Sequence, residues 1–147
     1  MKTELDRLLF PVANRIYNAQ AERGMFSSIV CAAQWPEWGA SRSHFAIILG
    51  DQPHLKPDAL QQLVQFAVEH AEQVCQPARN GKRRHPVIFP KDVFLKLAGS
   101  GCQDLKEFLA GHRVAVCECD DPGLDLDIDR PEDYQKALVL AGLGATT

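Results

Sequence analysis

The chain lacks several features that would settle its class at once. None of its apolar runs approaches the length of a transmembrane helix. Met1-Lys2-Thr3-Glu4-Leu5-Asp6 at the N-terminus has no apolar signal-peptide core. Cysteines are few and odd in number, Cys31, Cys75, Cys102, Cys117 and Cys119, which argues against a disulfide framework. Excess charge is also lacking. The net charge of -3 and the pI of about 5.9 give no reason to expect nucleic acid or an anionic membrane as partner. There is no internal repeat and no low-complexity linker. What remains is 147 residues, 46% hydrophobic and 24% charged, enough for one domain with its own core. A cytoplasmic protein is the expectation.

The rest of the chain is organised around His44-Phe45-Ala46-Ile47-Ile48-Leu49-Gly50-Asp51-Gln52-Pro53. Its apolar part is too short for a buried helix and suits a strand buried on both faces. Gly50 ends the run, and Pro53 and Pro57 keep the chain from continuing as strand or entering a helix early. A carboxylate, Asp51, is left at the carboxyl end of a buried strand, where open α/β sheets bind ligands. Taken alone, it is as compatible with a turn or a helix cap.

Apolar spacing over Leu5, Leu8, Leu9 and Val12 predicts a helix disturbed at Pro11. Arg15-Ile16-Tyr17 reads as a short strand. Ser27 or Ser28 is a candidate N-cap for a helix through Ile29, Val30, Ala32 and Ala33. From Pro57, apolar residues at Leu60, Leu63, Val64, Ala67, Val68 and Ala71 predict the clearest helix. Strands are expected at 74–77, 86–90 and 114–117, and short helices at 91–97 and 104–110. A last helix from Pro131 to Ala141 has Asp129 as a candidate cap, and 142–147 reads as a frayed tail. This alternation predicts an α/β sandwich with a mainly parallel sheet.

Two more clusters bear on chemistry. Arg79-Asn80-Gly81-Lys82-Arg83-Arg84-His85 is a basic turn, either a solvated hairpin tip or an anion contact. Asp127 and Asp129 alternate in an extended segment, so both can point at one cation, and magnesium favours a few carboxylates plus substrate phosphates. A turn and helix cap is the plainer reading, stronger for Asp129 than for Asp127. Cys117-Glu118-Cys119 has no partner pair at zinc spacing and reads as buried free thiols.

Four segments, in order, resemble the MobA-like nucleotidyltransferases, especially the molybdenum cofactor cytidylyltransferase branch. They are Asn18 with Gly24-Met25 and Ser28; Leu49-Gly50-Asp51-Gln52-Pro53; Arg84-His85-Pro86-Val87; and Asp127-Ile128-Asp129-Arg130-Pro131-Glu132-Asp133-Tyr134. The resemblance runs from about Ile16 to about Leu140. It implies a Rossmann-like three-layer domain that transfers CMP or a related nucleotide from CTP or GTP to a molybdopterin-type or other phosphorylated acceptor. Asp51 and Asp127 would hold magnesium as catalytic and metal-binding residues. Gly24 and Ser28 would face the base, and His85 would sit near the acceptor.

The resemblance is incomplete. Family members open with a strand and a glycine-rich basic loop that cradles the triphosphate, and neither precedes Asn18 here. Arg84 stands where a glycine is expected, and Gly99-Ser100-Gly101 lacks an expected acid. The expectation is therefore a single partial domain over 1–147, its sheet incomplete at the N-terminal strand and inactive as an isolated chain. The strand through Ile47-Ile48-Leu49 would keep an open edge. That predicts a homo-oligomer through this edge, or a partner that supplies the missing segment. A non-catalytic, self-associating binding module is the alternative function.

Overall fold

A computed structural model describes residues 11–144. Among these residues five α-helices and five strands form in the order α1 (Met25–Ala33), β1 (His44–Ile47), α2 (Pro57–Glu69), β2 (Val74–Arg79), β3 (Lys82–Arg83), β4 (Val87–Pro90), α3 (Lys91–Lys96), α4 (Leu105–Ala110), β5 (Val114–Glu118) and α5 (Pro131–Leu140).

Three helix starts have a local cause. Pro57 opens α2 at the first-turn position, where a missing N–H costs nothing. Asp104 caps α4 by accepting from the Glu107 N–H at 2.7 Å, and Glu107 reaches back to the Gln103 N–H, also at 2.7 Å. Pro131 opens α5, but the cap position belongs to Arg130, without a side-chain cap bond, so Asp129 does not cap this helix. Likewise Gly24, not Ser27 or Ser28, occupies the cap position of α1.

The sheet runs β1-β4-β2, with β5 on the far side of β2. The registers put β3 and β4 end to end along one side of β2, as two parts of a single returning strand. Asn80 and Gly81 make the tight turn into β3. Both have positive φ, 52° and 71°, as a two-residue hairpin of matching twist requires. β2 and β5 pair parallel, whereas β1–β4 and β2–β4 pair antiparallel. Thus β1, β2 and β5 share one direction, as the α/β reading expects, and β4 is inserted against them. That insertion follows from the short turn at 80–81, too short for a crossover.

Side chains alternate across the sheet and fill two cores. Phe45, Val74, Val87 and Phe89 pack with Ile29, Phe94, Leu97, Leu105 and Phe108 under α1, α3 and α4. Cys75, Ile88 and Cys117 pack with Leu63 and Ala67 of α2 on the opposite face. The result is a three-layer sandwich. Cys75, Cys117 and Cys119 are buried free thiols, and burial pushes the Cys75 and Cys117 thiols up.

Three expectations need correction or restriction. Arg15-Ile16-Tyr17 pairs with no strand and is irregular. The helix expected over 5–13 falls mostly on residues outside those described. β1 is not buried on both faces: Phe45 is buried, but Ala46 and Ile48 are exposed, because β1 lies at an edge of the described sheet. At the other terminus, the N–H groups of Leu143 and Gly144 bond to the Leu138 carbonyl at 2.8 and 2.9 Å, which closes the end of α5.

Candidate active site at the carboxyl end of the sheet

Because β1, β2 and β5 run one way, their carboxyl ends gather on one rim, and β4 begins there. Four loops therefore meet: 48–56 after β1, 84–86 before β4, and 119–129 after β5, with the β2–β3 hairpin beside them.

Backbone and buried side chains lock the first and third of these together. The Ile128 N–H donates to the Asp51 carbonyl at 3.0 Å. Gln52, 5% exposed, donates from Nε2 to Asp127 Oδ1 at 2.8 Å. Asp121 accepts from the Lys56 N–H and the Gly123 N–H, each at 2.9 Å. The His54 ring bonds through Nε2 to the Gly123 carbonyl at 3.1 Å. Gly123 is closely packed: a Cβ there would lie 3.1 Å from His54 Cδ2 and 3.2 Å from Asp121 Oδ1, so these side chains would have to give by a few tenths of an ångström.

Within this frame Asp51 is half-buried, and its Oδ1 is buried without a hydrogen-bond partner. An orphaned carboxylate oxygen carries a desolvation cost unless a cation or donor meets it. Asp127 is exposed, with Oδ1 held by Gln52. His85 lies close enough to both carboxylates for each to act on its charge, and its Nδ1 is buried without a partner. The structure thus brings Asp51, Asp127 and His85 together.

Magnesium chemistry fits this donor set: one orphaned carboxylate oxygen on Asp51, and a second carboxylate, Asp127, clamped on the loop bonded to it. Among the described residues there is no ready-made cluster of three or more His, Cys, Asp or Glu side chains that could hold a metal. A metal bound here would draw its remaining ligands from phosphate and water. Asp129, expected beside Asp127, is exposed and takes no part in the Gln52 contact.

Burial lowers the His85 pKa from 6.5, and the Ile47 backbone, Asp127 and Asp51 oppose that shift more weakly. The sign follows from linkage. Unfolded His85 takes a proton near 6.5 and folded His85 only at lower pH, so stability falls as pH drops below about 6.5. A His85→Gln variant is expected to flatten that slope, read as denaturation midpoints between pH 7 and pH 5.

Ser28 shares a wall with Asp51. A groove of about 560 Å³ between α1 and β1 is lined by Met25, Ser28, Ile29, Ile48, Gly50 and Asp51 among others. Asn18 arranges this helix start: its Nδ2 donates to Ser27 Oγ at 2.8 Å and Ser28 Oγ at 3.0 Å, and its Oδ1 accepts from the Gln20 N–H at 2.9 Å. Gly24 precedes α1 at φ 92° and ψ 175°, a conformation that essentially only glycine adopts without strain. No atom would meet a Cβ there, so the constraint is backbone alone. Gly24→Ala is expected to cost about 1–3 kcal/mol, measured by chemical denaturation, through strain at the start of α1.

Two of the four cations of the basic turn are engaged by carboxylates. Arg79 and Arg84 both bond to Asp125, Arg84 with Nη2 at 2.6 Å and Nε at 2.9 Å, and Arg79 also lies 3.5 Å from Asp120. The Arg84 and Arg79 hydrogen bonds hold the Asp125 carboxyl below the usual carboxylate range. Lys82 and Arg83 remain exposed at the tip.

Sequence reasoning named Asp51, Asp127, His85, Gly24 and Ser28. It assigned no role to Gln52, although it quoted that residue beside Asp51, and none to His54 or Asp121. All three are buried polar groups. The signal available for Gln52 was its place between Asp51 and Pro53; nothing local marks His54 or Asp121.

Comparison with known proteins agrees with this architecture. The family described as "MobA-like NTP transferase domain" matches residues 3–117. No match is found among curated proteins. Among solved structures, molybdopterin-guanine dinucleotide biosynthesis protein A from Archaeoglobus fulgidus superposes with a TM-score of 0.56 at 14% identity, over 81% of this chain and 63% of that one. The chain therefore spans less than two thirds of that protein's length, and at this identity the likeness is one of fold. Asp127 lies beyond the matched segment, and its place at the site rests on Gln52 and the Ile128–Asp51 bond. With the match covering most of its length, the chain belongs to the MobA-like NTP transferase family.

Proposed function

We propose that the rim carrying Asp51 and Asp127 binds a nucleoside triphosphate together with magnesium, and that it serves nucleotidyl transfer to a phosphorylated acceptor. CTP, or a related nucleotide, would be the donor and a molybdopterin-type phosphate the acceptor. The single observation that carries this reading is the buried, unpartnered Oδ1 of Asp51 beside an Asp127 fixed by Gln52. Family membership supports the reaction class.

In this reaction an acceptor phosphate oxygen forms a bond to the α-phosphorus, and the bond from that phosphorus to the bridging oxygen of pyrophosphate breaks. Magnesium, when bound, would neutralise phosphate charge at this rim. The chain's own part is positioning. Asp51 and Asp127 supply the anionic oxygens. Gln52 keeps Asp127 in place, and the Ile128–Asp51 bond fixes the distance between the two loops. Ser28 and the start of α1 form the wall next to Asp51 and would face the base. His85, kept neutral by burial, faces the acceptor side without adding charge.

A second reading is a binding module that holds nucleotide without transferring it. One observation favours it: Arg79 and Arg84, from the strongest basic cluster of the chain, are engaged by Asp125 and so do not offset triphosphate charge. Isothermal titration of the purified chain with CTP and GTP, with and without magnesium, tests the first reading. Magnesium-dependent binding of one nucleotide is expected; no binding of either overturns it. Release of pyrophosphate on adding a phosphorylated pterin then separates transfer from binding alone.

A further inference from the structure

The β2–β3 hairpin and the loop after β5 meet in one ion-pair cluster beside the rim. Arg84 donates from Nε and Nη2 to Asp125 Oδ1 at 2.9 and 2.6 Å, and Arg79 donates from Nη1 to Asp125 Oδ2. Two guanidiniums thus close on one carboxylate, whose two oxygens take all three bonds. A clasp between hairpin and loop needs only one arginine. The second brings like-charge repulsion, which a single carboxylate offsets only in part. Arg79 Nε is buried and makes no hydrogen bond; Asp120 Oδ1, on a fully exposed side chain, lies 3.5 Å from it. The cluster therefore holds one cation and one donor more than its occupant can use.

The sheet fixes the two arginines, whereas the carboxylate sits on a loop. Arg79 ends β2 in register with Lys82 across the 80–81 turn. The Arg84 N–H donates to the Pro77 carbonyl at 2.8 Å, and Gln76, 6% exposed, donates from Nε2 to the Arg84 carbonyl at 3.4 Å. Asp125 is exposed on the 119–129 loop, so rotation of its side chain alone would vacate the fork. The fork also lies close to Asp127. Leu126, between Asp125 and Asp127, is extended at φ −123° and ψ 119°. That conformation separates the two Cα atoms by about 6.5 Å. Arg84 in turn directly precedes His85.

We propose that Arg79 and Arg84 form a seat for a phosphate monoester, and that Asp125 occupies it until the phosphate arrives. A phosphate monoester carries about 1.5 to 2 negative charges near pH 7 and three acceptor oxygens. Asp125 offers one charge and two oxygens. The phosphate therefore matches the pair of guanidiniums better in charge, and it has an oxygen left for the free Nε–H of Arg79. Its source is the acceptor, an assignment that rests on the nucleotide reading: the seat adjoins Asp127, where the acceptor's phosphate must meet the nucleotide. Asp125 then keeps the seat filled, and its charge balanced, while no acceptor is bound.

Calorimetric titration of the full chain with inorganic phosphate, without magnesium or nucleotide, tests the seat apart from the nucleotide reading. Weak binding is expected in the wild-type chain. Asp125→Asn is expected to tighten it about tenfold or more, by vacating the fork with little change of shape. Arg84→Gln is expected to abolish it. Asp120→Asn removes the same charge near Arg79 but leaves the fork occupied, so a change below about twofold is expected. One check needs no variant: the Nε–H resonances of Arg79 and Arg84 in the wild-type chain are expected to shift as phosphate is added. Resonances that phosphate leaves unmoved overturn the proposal. So do equal gains in Asp125→Asn and Asp120→Asn, or a folded Asp125→Asn chain that binds no phosphate. With magnesium and CTP present, phosphate is still expected to bind. Its displacement by CTP would give the seat to the nucleotide's own phosphates and overturn the acceptor assignment. A chain that binds phosphate but no nucleotide keeps the seat and loses the nucleotide reading.

Discussion

Asp51→Ala is expected to remove magnesium-dependent nucleotide binding, by about a hundredfold or more in affinity, close to 2.7 kcal/mol. The size follows from the place of the carboxylate. Asp51 follows the end of β1, its own carbonyl is bonded to the Ile128 N–H, and one of its oxygens is buried without a partner. A backbone-anchored anion of this kind has little freedom to be replaced by a neighbour. Asp127 is exposed and depends on Gln52, so Gln52→Ala is expected to give a smaller loss than Asp51→Ala. Asp129→Ala is expected to leave binding within about twofold, because that side chain stands outside the clamp. Titration calorimetry of the three variants orders them. Equal losses for Asp51→Ala and Asp129→Ala would remove the distinction drawn here, and unchanged binding in Asp51→Ala would remove the metal role altogether.

Phe89→Ala is expected to lower stability by about 3–5 kcal/mol. The ring is fully buried in β4 and stands between Phe94 and Phe108, at centroid distances of 6.2 and 6.5 Å. Phe94 in turn stacks on Phe45 at 4.4 Å, so the aromatic contacts link β4 to the strand that leads to Asp51. Removing Phe89 opens a cavity that three rings on different elements cannot close together. Against a total stability of about 5–15 kcal/mol, such a loss removes about a fifth or more of the whole. Urea denaturation followed by circular dichroism measures it. A change below about 1 kcal/mol would mean that the core relaxes around the vacancy.

Much of this was legible in the sequence because the responsible forces are local. The helix of 57–69 was written in its apolar spacing and in Pro57 at its first turn. Asp51 was marked by Gly50 before it and Pro53 after it. The strands at 74–79, 87–90 and 114–118 were marked by short apolar runs between turn residues. What escaped depends on contacts distant in the chain. Nothing near Val87 says that β4 runs against its neighbours and separates β1 from β2. Arg79 and Arg84 read as free cations until Asp125, more than forty residues on, came to lie between them. Ser27 and Ser28 read as caps because Asn18, which takes both hydroxyls, lies nine and ten residues earlier. Ala46 and Ile48 read as buried because composition cannot tell an edge strand from an interior one.

The bond between Gln52 and Asp127 spans 75 positions of chain, and this sets when the site can exist. At about 5–20 residues per second of synthesis, several seconds separate the appearance of Asp51 from that of Asp127. During that interval β1 and α2 can form, but the Asp51 carbonyl lacks the Ile128 N–H and Gln52 lacks its acceptor. The rim is thus one of the last parts of the molecule to be completed. A nascent chain halted before residue 128 would carry most of its core but an unfinished rim, and under the proposed nucleotide reading binding itself would report a finished fold.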